Sequence, residues 1–307
     1  MSTASAPGKI ILVGEHAVVY GRPAIAAPVW EVQAQATVSD TPGEACRLVA
    51  PQIGLNIRLA DAAPDEPLAL VARLALGKLG AASPPEWRIE ARSDIPMASG
   101  LGSGAAISAA VARAIFAHAG REIDADTLSQ IVFASERIHH GRPSGIDNTV
   151  IAWEAPIWFV KGEAPQAVRP GRPFTIVIAD SGVPASTRET VAHVRQGWER
   201  DQARYEGWFD EMGEIAAKAR TAIEAGQLRR LGRLFDKNQT LLERIGVSSP
   251  TLERLIDAAR HDGALGAKLS GGGRGGNVIA LVEPAIAPSV EEGFLSAGAH
   301  RVITTTV

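Results

Sequence analysis

Two glycine-rich stretches and a few charged residues are the groups in this sequence best able to do chemistry. Pro96 to Ala106 reads PMASGLGSGAA and places Gly100, Gly102 and Gly104 directly before an alanine-rich run. Glycine permits positive φ and close backbone approach. A helix starting there presents unpaired N–H groups and about half a positive charge. Together these form an anion site suited to phosphate. Ser103 adds a hydroxyl able to bind a phosphate oxygen or a metal ion. No Gly-Lys-[Ser/Thr] closes the stretch, so it is not a Walker A loop, and its spacing does not fit a dinucleotide fingerprint. The second stretch, Lys268 to Asn277 (KLSGGGRGGN), holds five glycines and Arg274. Ordering such a loop is entropically costly, which points to a close ligand, a close backbone approach or a glycine hinge. Arg274 would suit a phosphate or a carboxylate.

Glu136 has Leu128, Val132 and Phe133 at eight, four and three residues before it, which places it on the apolar face of a helix. A buried carboxylate needs a cation or donors. A Mg2+ ion carried by nucleotide phosphates would serve, and so would an arginine such as Arg137 or Arg142. Asp147, in RPSGIDN, is either a turn aspartate or a carboxylate held to accept, or orient, a substrate hydroxyl proton. Lys9 could pair with it and hold it ionised, or be a solvated lysine at a strand edge. His139 and His140 point to different sides of a helix and have no third ligand at a convincing spacing, so a helix C-terminal role is expected.

These groups need elements to position them. KIILV (9–13) and AVVY (17–20) read as strands around a Gly-Glu-His loop, and 29–38 as another strand. Helical spacing covers 68–79, and 87–91 reads as a strand. Ala105 to Ala119 is a helix by composition and pattern. Residues 126–139 form the next, with Asp126 as its N-cap and the loop 141–145 ending it. PGRP (170–173) marks a domain boundary, giving domains 1–171 and 172–307. The strand 174–179 is followed by helices over 186–204, 206–225, 227–245 and 250–261. Ser249-Pro250 starts the last of these and Gly263 stops it. A final strand covers 277–282. Strands and helices mix in both halves without regular alternation, which favours an α+β class.

The 307 residues are 46% hydrophobic and 21% charged, with a formal net charge of −3. That supplies a sizeable core and no basic run for nucleic acid. The only cysteine, Cys46, excludes an internal disulfide and a cysteine metal cluster. No apolar run reaches the roughly 18 residues of a membrane span and the start has no signal-peptide pattern. The expectation is a cytoplasmic, soluble protein.

Three separated motifs then agree. Pro7 to Ala26 (PGKIILVGEHAVVYGRPAIA) resembles the first motif of the GHMP kinase family, Pro96 to Ala106 the second and Lys268 to Asn277 the third. SGIDN (144–148) is similar to the family segment carrying a catalytic aspartate, and NQTLL (238–242) with GVS (246–248) also fits. The resemblance spans nearly the whole chain. It implies a two-lobed α+β fold, with an N-terminal ribosomal-protein-S5-like domain and a C-terminal ferredoxin-like α/β domain. It also implies an ATP-dependent phosphotransferase that uses Mg2+. His16 followed by AVVYG favours the branch that phosphorylates the primary hydroxyl of mevalonate over those acting on phosphomevalonate, a sugar or homoserine. A non-catalytic ligand sensor on the same fold is the other alternative. By resemblance, Lys9 and Asp147 are the catalytic pair. Pro96, Gly100, Leu101, Gly102, Ser103, Gly104 and Ala105 bind ATP phosphates. Glu136 and Ser103 bind the metal, and Glu15, His16, Asp147, Thr187 and Gly272 bind the acceptor. Where the family usually has two serines, this chain has Ser103 and Gly104. A homodimer is implied by the resemblance alone; no nucleic-acid or membrane partner is expected.

Overall fold

The computed structural model describes residues 1–96, 100–140, 143–184 and 186–307. Met97, Ala98 and Ser99 of the first glycine stretch, Arg142 as a partner for Glu136, and the side chains of His139 and His140 lie outside the described residues. The chain forms two compact units, and the long strands β1 (Ser2–Val13) and β2 (Ala24–Asp40) contribute residues to both.

The first unit comprises Met1–Lys9, Val32–Pro96 and Gly102–Glu154. Its sheet contains the second half of β2, then β3 (Arg47–Ala50), β4 (Leu55–Arg58) and β5 (Trp87–Ser93). β5 runs antiparallel to β2, with Ala34 opposite Ser93, and parallel to β3. The helices α1 (Pro67–Leu79), α2 (Ser103–His118), α3 (Ala125–His140) and α4 (Ile146–Trp153) pack on one another. α2 owes its central place to small residues. Ala105, Ala106, Ala109, Ala110, Ala112 and Ala114 are all buried, so neighbouring helices approach it closely at little cost in side-chain entropy.

The second unit comprises Ile10–Glu31, Met97–Leu101 and Ala155–Val307. The first residues of β2 pair with β6 (Ile157–Phe159), which pairs with β7 (Gln166–Ala167). A separate antiparallel sheet follows, built from β8 (Thr175–Asp180), β9 (Gly266–Ser270), β10 (Asn277–Val282) and β11 (Arg301–Thr306) in the order β11-β8-β10-β9. Four helices lie between β8 and β9: α5 (Thr187–Arg200), α6 (Gln202–Glu224), α7 (Leu228–Arg244) and α8 (Pro250–His261). One more, α9 (Ala287–Ser296), connects β10 to β11. Helices inside both crossovers, with the first strand beside the last, make the ferredoxin-like arrangement. β8 and β10 are central and apolar on both faces, and Ile178 lies opposite both Ile279 and Ile303.

Several sequence readings change. AVVY is a 3-10 turn, Ala17–Tyr20. Gly14 and His16 take φ of 92° and 60°, a corner that no strand passes through. The β-rich side chains pack inward there: Ala17 and Val18 are buried, and Tyr20 stacks on Phe209 of α6 at 4.2 Å. The cap of α3 is Asp124, whose carboxylate accepts from Thr127 N at 2.8 Å, and Asp126 lies in the first turn. Asp147 is in the first turn of a helix rather than in a loop. The helices over 186–204 and 206–225 meet earlier, at Asp201, which ends α5 and caps α6. The strand 277–282 is not final, because α9 and β11 follow it. Among the described residues, no helix is long and apolar enough to cross a membrane.

Candidate active site

In the first unit the structure brings together Lys9, Asp147, Glu136 and the start of α2. Lys9 is a buried residue of β1, and its Nζ lies 3.0 Å from Asp147 Oδ1. Asp147 is partly open to solvent at the N-terminus of α4, where the helix dipole favours an anion. α4 is fastened to α3 by Asn148, whose Nδ2 donates to Ser129 O and Oγ, and to its own cap by Thr149 Oγ1 donating to Gly145 O at 2.6 Å. Gly102, at φ 78°, caps α2. A Cβ there would sit 2.9 Å from Lys9 Cγ, so glycine is what allows Lys9 past the helix start. Ser103 opens α2, and its hydroxyl has no hydrogen-bond partner among the described residues.

Glu136 is buried on α3. Burial, reinforced by the neighbouring charge of Asp147 and opposed by Lys9, pushes its carboxyl up from 4.5 to about 7. A Cβ on Gly104 would lie 3.3 Å from Glu136 Oε1. The site therefore offers a buried carboxylate of α3 beside Gly104, with a serine hydroxyl one residue earlier at the start of α2. Hard oxygen donors of this kind fit Mg2+. No group of three or more His, Cys, Asp or Glu among the described residues could hold a metal alone, so phosphate and water would have to complete the shell.

In the second unit the structure gathers Glu15, His16, Thr187 and Gly272. Gly100 and Leu101 belong to this unit too, whereas Pro96, Gly102, Ser103, Gly104 and Ala105 belong to the first. His16 Nε2 meets Gly272 O at 3.0 Å. Burial, aided by the charge of Lys268 and opposed by the hydrogen bond to Gly272, lowers the ring to about 4. It is therefore neutral, with Nε2–H donating to the carbonyl. Thr187, exposed at the start of α5, has its Oγ1 only 3.0 Å from where a Gly272 Cβ would stand. Glu15 is 1% exposed, and both its oxygens are engaged: Lys268 Nζ binds Oε1, and Asn238 Nδ2 donates to Oε2 at 3.2 Å.

Lys268 and Asn238 carry no role in the sequence reading. The visible signal was a lysine inside the apolar strand segment GAKLS, where a charge needs a buried partner. Arg274 is committed elsewhere: at φ 61° its guanidinium donates twice to Gly246 O at 3.2 Å, closing the end of α7.

Two family models match the sequence. The GHMP kinases N terminal domain matches residues 68–154, and the GHMP kinases C terminal domain matches 219–300. A mevalonate kinase of Aeropyrum pernix is 36% identical over 310 aligned residues, covering 99% of this chain and 93% of that protein. The crystal structure of L. major mevalonate kinase in complex with R-mevalonate superposes with a TM-score of 0.83 at 26% identity, covering 100% of this chain and 96% of that one. The Streptococcus pneumoniae phosphomevalonate kinase shares the fold alone, with a TM-score of 0.83 at 16% identity over 99% of this chain and all of that one. Near-complete alignment at more than a third identity places the chain in the GHMP kinase family, among its mevalonate kinases.

Proposed function

We propose that this chain transfers the γ-phosphoryl group of ATP to the primary hydroxyl of mevalonate, giving 5-phosphomevalonate and ADP. The observation that carries the reading is the Lys9–Asp147 ion pair beside buried Glu136 at the glycine-capped start of α2. Phosphoryl transfer depends mainly on positioning and charge neutralisation, and this cluster supplies both. The substrate hydroxyl oxygen bonds to the γ-phosphorus, the bond from that phosphorus to the ADP oxygen breaks, and the hydroxyl proton goes to Asp147. Lys9 orients the carboxylate and neutralises charge on the transferring group. Backbone N–H groups from Gly102 to Ala105 hold phosphate oxygens at the helix start, with Pro96, Gly100 and Leu101 lining the same motif. Glu136 and Ser103 would hold Mg2+, which when bound with ATP neutralises phosphate charge. His16, Thr187 and Gly272 contact the acceptor, with Glu15 behind them. The division into domains 1–171 and 172–307, a cytoplasmic setting and a homodimer belong to the same reading, and light scattering tests the last of these.

The test is coupled ADP release with ATP and Mg2+ across mevalonate, phosphomevalonate, galactose and homoserine. Selective turnover of mevalonate is expected. Selective turnover of another acceptor would overturn the substrate assignment, and absence of ATP consumption with all four would favour a sensor.

Gly104→Ser probes the metal site. Its Cβ needs only a few tenths of an ångström from Glu136, and its hydroxyl would lie beside that carboxylate. The expected outcome is an apparent Mg2+ requirement lowered about three- to tenfold, with turnover changed by less than about threefold. A raised Mg2+ requirement would count against metal binding at this spot.

A further inference from the structure

The buried pair of Glu15 and Lys268 has no place in the phosphoryl-transfer chemistry, yet it is the most fully enclosed ion pair described: the two side chains are 1% and 0% exposed. Burying two charges is costly, and apolar residues of similar volume often serve stability as well or better.

Glu15 sits inside the corner made by Gly14 and His16, both at positive φ. Its carboxylate is gripped from β9 by Lys268 and from α7 by Asn238. Lys268 also donates to Leu269 O. A second tie joins β1 to β9: Ile11 N donates to Ser270 Oγ, which donates back to Ile11 O at 2.9 Å. One residue past Glu15, the His16 ring donates to Gly272 O, two residues past the end of β9. Gly272 in turn packs on Thr187. A continuous chain of contacts thus runs from Asn238 and Lys268 through Glu15 to His16, Gly272 and Thr187.

We propose that Glu15, Lys268 and Asn238 form a positioning device that fixes the His16 ring, and through it the Gly272 carbonyl, for binding of the acceptor alcohol. The proposal rests on the acceptor-binding role given above to His16, Thr187 and Gly272. The positive charge of Lys268 also helps keep the ring neutral. With Nε2–H spent on the carbonyl, Nδ1 has no partner among the described residues and is left as an acceptor for a hydroxyl.

The experiment compares Lys268→Met with the double variant Glu15→Gln/Lys268→Met. The single variant strands a carboxylate in the core and is expected to melt much earlier than wild type. The double variant buries no charge and is expected to recover most of that loss. Its KM for mevalonate is nevertheless expected to rise about tenfold or more, with the KM for ATP within about twofold. Its His16 ring nitrogens, read by NMR, are expected to lose the single Nε2–H tautomer. A folded double variant with wild-type acceptor KM and unchanged His16 signals would overturn the proposal. Asn238→Ala, which removes one hydrogen bond and no charge, gives the same readouts if the double variant does not fold. A smaller rise in acceptor KM with altered His16 signals supports the proposal, and unaltered signals overturn it. The NMR arm needs no substrate, so it still decides the positioning role if wild type turns over a different acceptor.

Discussion

Asp147→Asn is expected to lower turnover about 10³-fold while leaving ATP affinity within about twofold of wild type. Asparagine has nearly the same shape, and its Oδ1 can still accept from Lys9 Nζ, which lies 3.0 Å from the aspartate oxygen. It cannot take the proton that the acceptor hydroxyl must lose. The local fold should persist, because α4 is held by Asn148 and Thr149 rather than by Asp147. A second consequence separates loss of the base from general damage. The charge of Asp147 is one of the causes that raise Glu136, so removing it should bring Glu136 down towards the ordinary carboxylate range. Coupled ADP release, nucleotide titration and a carboxyl-resolved NMR titration check the three statements. Near-normal turnover in a folded variant would remove Asp147 from the reaction.

What could be read from the sequence divides along physical lines. Local chemistry was legible. Gly102 caps α2 at positive φ, as expected of a glycine before an alanine run, and Glu136 is buried because Leu128 and Val132 share its helix face. The short helix α4 was not legible. Its cap, Gly145, has left-handed geometry and makes no side-chain capping bond, so neither cap chemistry nor length announced a helix around Asp147. AVVY misled because β-propensity reports fit to a half-buried surface, whereas a left-handed corner fixes its backbone. The start of β1 was hidden by STASAPG, with a proline inside the strand. Strands at a sheet edge tolerate proline, and among the described residues β1 pairs with β2 alone. The Lys9–Asp147 and Glu15–Lys268 pairs are tertiary facts. The sequence supplied charges needing partners and suggested the first pairing, which the resemblance supported, but only packing joined Lys268 to Glu15.

Glu136→Gln should make the nucleotide-free protein more stable at pH 8 while lowering turnover about 10²- to 10³-fold. The carboxyl of Glu136 is raised from 4.5 to about 7 by burial and by Asp147. Between those values the folded state keeps a proton that the unfolded state has lost, so raising the pH through this window weakens the fold. The full shift corresponds to about 3 kcal/mol, lost by the time pH passes 7. His16 works the other way. Its ring is lowered from 6.5 to about 4, so its contribution grows as pH rises between those values. The wild-type curve mixes both effects, and the difference between wild type and Glu136→Gln isolates the carboxylate. That difference should be small near pH 4.5 and approach its full size in favour of the variant above pH 7. Saturating Mg2+ with ATP should then reverse the order, because a cation beside Glu136 relieves the buried charge in wild type and finds a poorer ligand in the amide. Urea unfolding across pH, with and without the nucleotide, measures all of this. A difference that does not vary with pH would show that Glu136 does not hold its proton as the burial of its carboxylate requires. A difference that varies with pH but is not reversed by Mg2+ and ATP would place the metal elsewhere.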